Sequence, residues 1–284
     1  MEKIAVVTDT GSNLSFAQAK ELGIYLLPLQ ITIDETTYQD TLEISTQDIY
    51  NELANGTMPK TSMAAYQKIY DLFEELKKDY DTIFAVPLTN GLSTNASTMQ
   101  SIARELEMNV HVIDMYATCA LEKHVAILIK RLVDEHKSSE EILKIIQPAI
   151  DESNSLILVK NLQHLKRGGR LTPMAAALAG LLKIYPVLHI NKSTEGRIDV
   201  LNKVRTEKRA DAYAIDKIMD DIDIQHTHIY IIHSNFLEGA DHFKKCFIEK
   251  GVPEQNIHID YISSVIAVHT GLGCIAIQYI REEN

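Results

Sequence analysis

The chain has 284 residues, 45% of them hydrophobic and 24% charged. That balance belongs to a folded globular protein and excludes disordered, collagen-like and low-complexity classes; the length predicts two domains or one large α/β unit. The formal net charge is −11, and so acidic a surface repels a phosphate backbone, which argues against nucleic acid as a partner.

Met1 to Val7 runs straight into a strand-like segment, with no basic region, apolar core or cleavage site of a targeting peptide. The weakly polar stretch from Met174 to Ile190 is shorter than a bilayer span and is interrupted by Lys183, Pro186 and His189. The three cysteines, Cys119, Cys246 and Cys274, show no CxxC spacing, so neither a disulfide framework nor a zinc knuckle is expected. The simplest location is the cytoplasm.

Taken in order, Ile4–Val7 predicts a buried strand that enters the polar loop Thr8-Asp9-Thr10-Gly11-Ser12-Asn13. A helix follows from about Phe16 to Leu22, stopped by Gly23, and then a strand region from Tyr25 to Ile33. Ser45-Thr46-Gln47-Asp48 reads as a helix start, and Ile69, Tyr70, Phe73 and Leu76 lie at helical spacing within Tyr66–Lys77. Beyond this the strands Thr82–Val86 and Val110–Ile113 alternate with helices over Ala96–Glu107, Ala120–Glu135 and Ser139–Ile150. That rhythm predicts a parallel, helix-covered sheet of Rossmann-like type.

The second half is expected to begin near residue 152, giving domains 1–152 and 153–284. It predicts a strand at Leu156–Val159, a short helix at Leu162–Lys166, and a helix opened by Thr172-Pro173. A hairpin over Val187–Ile190 and Ile198–Val204 precedes helices from Lys208 and Gly239, with strands at Ile229–Ile232, Ile257–Tyr261 and Ile275–Ile280. The predicted class is α/β throughout, with a mixed sheet in the C-terminal domain.

Three polar loops lie where α/β sheets bind ligands: Lys60-Thr61-Ser62, Asn90 to Asn95, and His269-Thr270-Gly271. Hydroxyls beside unpaired helix N–H groups suit an anion; read from spacing alone, Thr61, Ser62 and Ser93 serve equally as helix caps. Enzyme and nucleotide templates fail: Gly91 to Asn95 lacks a G-x-S-x-G elbow, and no phosphate-loop motif is present. His226, His228 and His233 lack metal-ligand spacing and read as core or surface histidines. Residues 160–209 hold eleven Lys and Arg against three acids, a local charge of +8 in a chain otherwise at −19. Inside that stretch Met174 to Leu182 predicts an apolar helix, which either packs inside the fold or covers an apolar cavity or membrane surface.

In sequence order, Val7-Thr8-Asp9-Thr10, Thr61-Ser62, Leu92-Ser93, Val112-Ile113-Asp114, Leu165 to Arg170, Lys203 to Thr206 and His269-Thr270-Gly271 resemble the DegV family of bacterial fatty-acid-binding proteins. The resemblance implies a non-catalytic carrier, without cofactor, that holds a long-chain fatty acid such as palmitate or oleate. It implies a carboxylate held by Thr61, Ser62 and Ser93 with His269 and Arg170 nearby. It further implies presentation to a separate fatty acid kinase subunit for acyl-phosphate formation, serving phospholipid synthesis. Arg167, Lys203 and Arg205 would form the face toward that partner, and the apolar helix would open at the inner membrane surface. The alternative is a phosphotransferase resembling dihydroxyacetone kinase. The chain departs from the family pattern at Met63-Ala64, Thr94 to Ser97, Met115 and Leu272, positions that bear on acyl preference and kinase choice.

Overall fold

The structure is a computed structural model that describes residues 2–181 and 183–281. Strand β1 (Ile4–Asp9) is buried along its whole length, as a central strand covered by helices on both faces must be. After a 3-10 turn, helix α1 (Phe16–Leu22) starts in a capping box between Ser15 and Gln18 and ends at Gly23 in the left-handed conformation. Pro28 then splits the expected Tyr25–Ile33 strand into β2 (Tyr25–Leu27) and β3 (Gln30–Ile33), because proline has no N–H for a continuous ladder. Strand β4 (Thr36–Gln39), helix α2 (Thr46–Ala54), strand β5 (Lys60–Ser62) and helix α3 (Tyr66–Leu76) follow.

Strand β6 (Thr82–Val86), helix α4 (Asn95–Glu105), strand β7 (Asn109–Val112), and helices α5 (Ala120–Asp134) and α6 (Ser139–Glu152) complete this half. The four parallel strands are ordered β2-β1-β6-β7, as the alternating pattern predicts, and β4-β3-β5 form a separate antiparallel sheet.

The second half opens with β8 (Asn154–Leu158), the short helices α7 (Leu162–Arg167) and α8 (Pro173–Leu178), and the antiparallel pair β9 (Tyr185–Ile190) and β10 (Asp199–Val204). It continues with α9 (Glu207–Asp221), β11 (Thr227–His233), α10 (Leu237–Glu249), β12 (Ile257–Tyr261), α11 (Ser264–Thr270) and β13 (Ile275–Arg281). Its six-stranded sheet is ordered β10-β9-β8-β13-β11-β12 and is mixed: β11 and β12 are parallel and the other neighbours antiparallel.

Three expectations are corrected. Lys60-Thr61-Ser62 is a strand, not a loop, because the edge of β3 offers its backbone a ladder. His269 and Thr270 end helix α11, which Gly271 terminates with φ +74°. The apolar helix stops at Leu178, since only Ala175 and Leu178 face inward, while Met174 is 60% and Leu181 56% exposed; its predicted end, Leu182, lies outside the described residues.

The two sheets are joined by polar ties. Tyr50 of α2 is buried and donates its hydroxyl to Ile262 O at 2.7 Å and His233 O at 3.2 Å. Gln278 of β13, also buried, donates to Thr118 O and Ser155 Oγ and accepts from Ala120 N. Buried polar groups so satisfied hold a junction in one arrangement rather than adding large net stability.

Candidate functional site

The hydroxyl of Thr61 reaches the site because residues alternate along β5. Thr61 pairs with Ile31 and turns inward, whereas Ser62 pairs with Gln30, and Ser62 Oγ donates to Gln30 Oε1 at 3.1 Å on the exposed side. Thr61 Oγ1 lies 2.7 Å from His269 Nε2, joining the first half of the chain to the end of α11. The His269 ring is pushed down to about 4 by burial, with the positive charge of Arg170 adding to the shift. It is therefore a neutral imidazole at pH 7.

Ser93 comes from the loop that joins β6 to α4. Its Oγ accepts from Asn95 N at 3.2 Å, so it caps the first helical residue and keeps its own O–H for another acceptor. The loop is held from two sides. Asn90 N donates to Asp114 Oδ2 at 3.0 Å, and Asp9 Oδ2 accepts from Leu88 N at 2.9 Å and from Asn95 Nδ2 at 2.6 Å. Asp9 and Asp114 belong to the sequence segments that carry the family resemblance, and their role is to fix the loop.

Arg170 arrives by a different route. Helix α7 is tied to α11 by His164 Nε2 and Val268 O at 2.8 Å. The chain then turns through Gly168 and Gly169, the latter at φ +75°, and a bridge between Leu171 and Ile198 fastens the strap. The guanidinium donates to Gly168 O at 2.7 Å, and burial lowers its proton affinity while leaving it cationic. Arg167, Lys203 and Arg205 are exposed and line none of the cavity described next.

These groups surround a cavity of about 410 Å³ whose walls include Thr61, Ser62, Ser93, Arg170 and His269. It is built across both halves of the chain, from the β5 strand, the 88–95 loop, the 168–171 strap and α11. One cation, a neutral imidazole and the hydroxyls of Thr61 and Ser93 converge there, with Ser62 at the rim, which suits a single carboxylate. Leu92, Ile198, Ile266 and Thr270 form its inner end and also begin a second, narrow cavity, which continues past Ile157, Ile232 and Ala276 to Gln278. The alternation along β13 places Ala276 and Gln278 on that face, and the hydrogen bonds of Gln278 close the far end.

The four-residue neck is absent from the sequence reading. The helix that carries Ile266 did have a signal, since Ser263-Ser264 precedes an apolar run ended by Gly271. The histidines also find their places. His226 pairs with Asp223, His228 Nδ1 lies 3.0 Å from His258 Nε2, and His233 Nδ1 accepts from Phe236 N. Among the described residues no group of three His, Cys, Asp or Glu is arranged to hold a metal ion, and no helix is long and apolar enough to cross a membrane.

A family profile described as "Uncharacterised protein, DegV family" matches residues 3–282. A DegV domain-containing protein of Halalkalibacterium halodurans is 30% identical over 289 residues, with 100% of each chain covered. Among solved structures, a fatty-acid-binding DegV family protein of Streptococcus agalactiae superposes with a TM-score of 0.91 at 29% identity, over 100% of both chains. DegV of Bacillus subtilis, a fatty-acid-binding protein, gives a TM-score of 0.87 at 26% identity, over 99% of this chain and 100% of that one. With the profile spanning almost every residue, this chain belongs to the DegV family.

Proposed function

We propose that the protein binds one long-chain fatty acid, such as palmitate or oleate, and presents it to a separate kinase subunit that makes the acyl phosphate. Thr61, Ser93, His269 and Arg170 hold the carboxylate, with Ser62 at the rim, and the alkyl chain enters the narrow cavity beyond Leu92 and Ile266. The observation that carries this reading is the junction, through four shared residues, of a polar, cationic head cavity with a narrow, mostly apolar cavity of about 30 Å³, whose walls must part to admit the alkyl chain. A buried carboxylate needs several hydrogen bonds to offset its lost hydration, and each buried CH₂ adds about 0.8 kcal/mol. The relatives from Streptococcus agalactiae and Bacillus subtilis, described as fatty-acid binding, support the ligand class.

In this reading residues 1–152 and 153–284 are two units that close on the ligand, and the chain itself performs no chemistry. The exposed Arg167, Lys203 and Arg205 meet the kinase or the anionic inner face of the membrane, and the protein works from the cytoplasm. The test is to denature purified full-length protein, extract it with organic solvent and quantify fatty acid by mass spectrometry. One equivalent is expected from the native sequence. Replacing Thr61→Ala together with Ser93→Ala removes two hydrogen bonds to a charged group and should weaken retention at least about tenfold. Unchanged retention in the double variant would overturn the site.

A further inference from the structure

Three acidic side chains beside the candidate site take no part in holding the carboxylate. Asp9, Asp40 and Glu122 are each 0% exposed. Among the described residues none of them forms a salt bridge, so their arrangement must solve a charge problem without a cation.

Asp9, at the end of β1, is richly supplied with donors. Its Oδ1 accepts from Gly11 N at 2.8 Å, and its Oδ2 takes the bonds from Leu88 N and Asn95 Nδ2 already described. Glu122, in the first turn of α5, has far less. Its Oε1 accepts only from Thr8 Oγ1 at 3.2 Å, and its Oε2 has no hydrogen-bond donor. The two carboxyl groups converge on Gly11: a Cβ at that residue would lie 2.7 Å from Asp9 Oδ1 and 3.1 Å from Glu122 Oε2. Two ionised carboxylates so placed in a dry interior repel each other without compensation, and the one with three N–H donors keeps the charge more easily.

We propose that Glu122 retains its proton and donates it to Asp9, so that the pair carries one charge and Asp9 is fixed to hold both ends of the 88–95 loop. Glu122 is thus a positioning residue for Ser93, and its bearing on ligand retention rests on the fatty-acid reading above. The surroundings agree. Burial raises the proton affinity of Glu122 well above the carboxylate range, and the charge of Asp9 pushes it the same way. Asp40, whose Oδ1 accepts from Ser264 Oγ, is pushed up to about 6 by burial, opposed by that bond and raised again by Asp9.

The sign of the pH dependence follows. A carboxyl group held above its unfolded value of 4.5 adds stability that is fully present below that value and is lost as pH rises toward the folded one. Glu122 should therefore make the protein less stable in the alkaline direction, opposite to a salt-bridged carboxylate.

The experiment compares full-length Glu122→Gln with the native chain. Glutamine keeps an acceptor for Thr8 and an N–H for Asp9 but has no proton to lose. The infrared difference between the two should contain a protonated-carboxyl stretching band at neutral pH, and Glu122→Gln should lose less melting temperature from neutral to alkaline pH. Glu122→Leu, which has no donor for Asp9, should speed amide exchange at Leu88 at least about tenfold, whereas Glu122→Gln leaves it unchanged. A missing carboxyl band, parallel pH profiles, or equal exchange in both variants would overturn the proposal. A native protein that carries no fatty acid would instead overturn the carboxylate site, because none of these three readouts needs a ligand.

Discussion

Replacing Gly91→Ala tests whether the two halves of the chain are locked at the mouth of the site. A Cβ at residue 91 would lie 2.1 Å from Gly196 O and 2.2 Å from Gly196 C. Both are backbone atoms, so no flexible side chain can swing aside. An ordinary carbon contact needs about 3.5 Å, so the loop at Gly196 must retreat by more than about 1 Å. That loop leads directly to Ile198, which stands in the neck between the two cavities. Forcing an added carbon into packed surroundings costs about 1–3 kcal/mol, which in a chain of this size lowers the melting temperature by roughly 2–10 °C. The same retreat widens the neck and should speed release of a bound fluorescent fatty acid. Gly180→Ala is the control, because a Cβ there meets nothing within 4 Å. Thermal unfolding and stopped-flow release together decide the matter. A Gly91→Ala protein that melts and releases ligand as the Gly180→Ala protein does would refute the close packing of the two loops.

Tyr50→Phe removes the hydroxyl that bonds Ile262 O and His233 O while keeping the buried ring; urea unfolding should show a loss of about 1–3 kcal/mol, because two buried carbonyls lose a donor. Ser62→Ala should retain fatty acid in the extraction assay within about twofold of the native chain, since Ser62 Oγ is turned toward Gln30 and removing an exposed hydrogen bond costs little. A large loss there would place Ser62 in the grip beside Thr61.

Much of this architecture was legible because local chemistry dictated it. The capping box at Ser45–Asp48 forms as its spacing predicts, and Thr172-Pro173 opens α8 as cap and first residue. The alternation of apolar strands with helices was enough to predict the parallel sheet, because strands covered on both faces read as continuous apolar runs. The errors share one cause. Thr61 and Ser62 look like loop residues until β3 supplies a partner strand, and the apolar run after Arg170 looks like a long helix until its outward face finds nothing to pack against. In each case a distant surface decided the outcome.

The sequence by itself determined the α/β class, the helix starts, the local reversal of charge over residues 160–209, and the hydroxyl, histidine and arginine types at the site. Only the tertiary structure decided that Thr61 meets His269 across 208 positions of chain, that Ser62 bonds Gln30 at the rim of the cavity, and that Gln278 closes the inner cavity. It also brought the carboxyl groups of Glu122 and Asp9 together around Gly11. The physical reason is that spacing along a chain governs caps and periodicity, whereas desolvation and hydrogen-bond pairing depend on which groups packing brings within about 3 Å of one another.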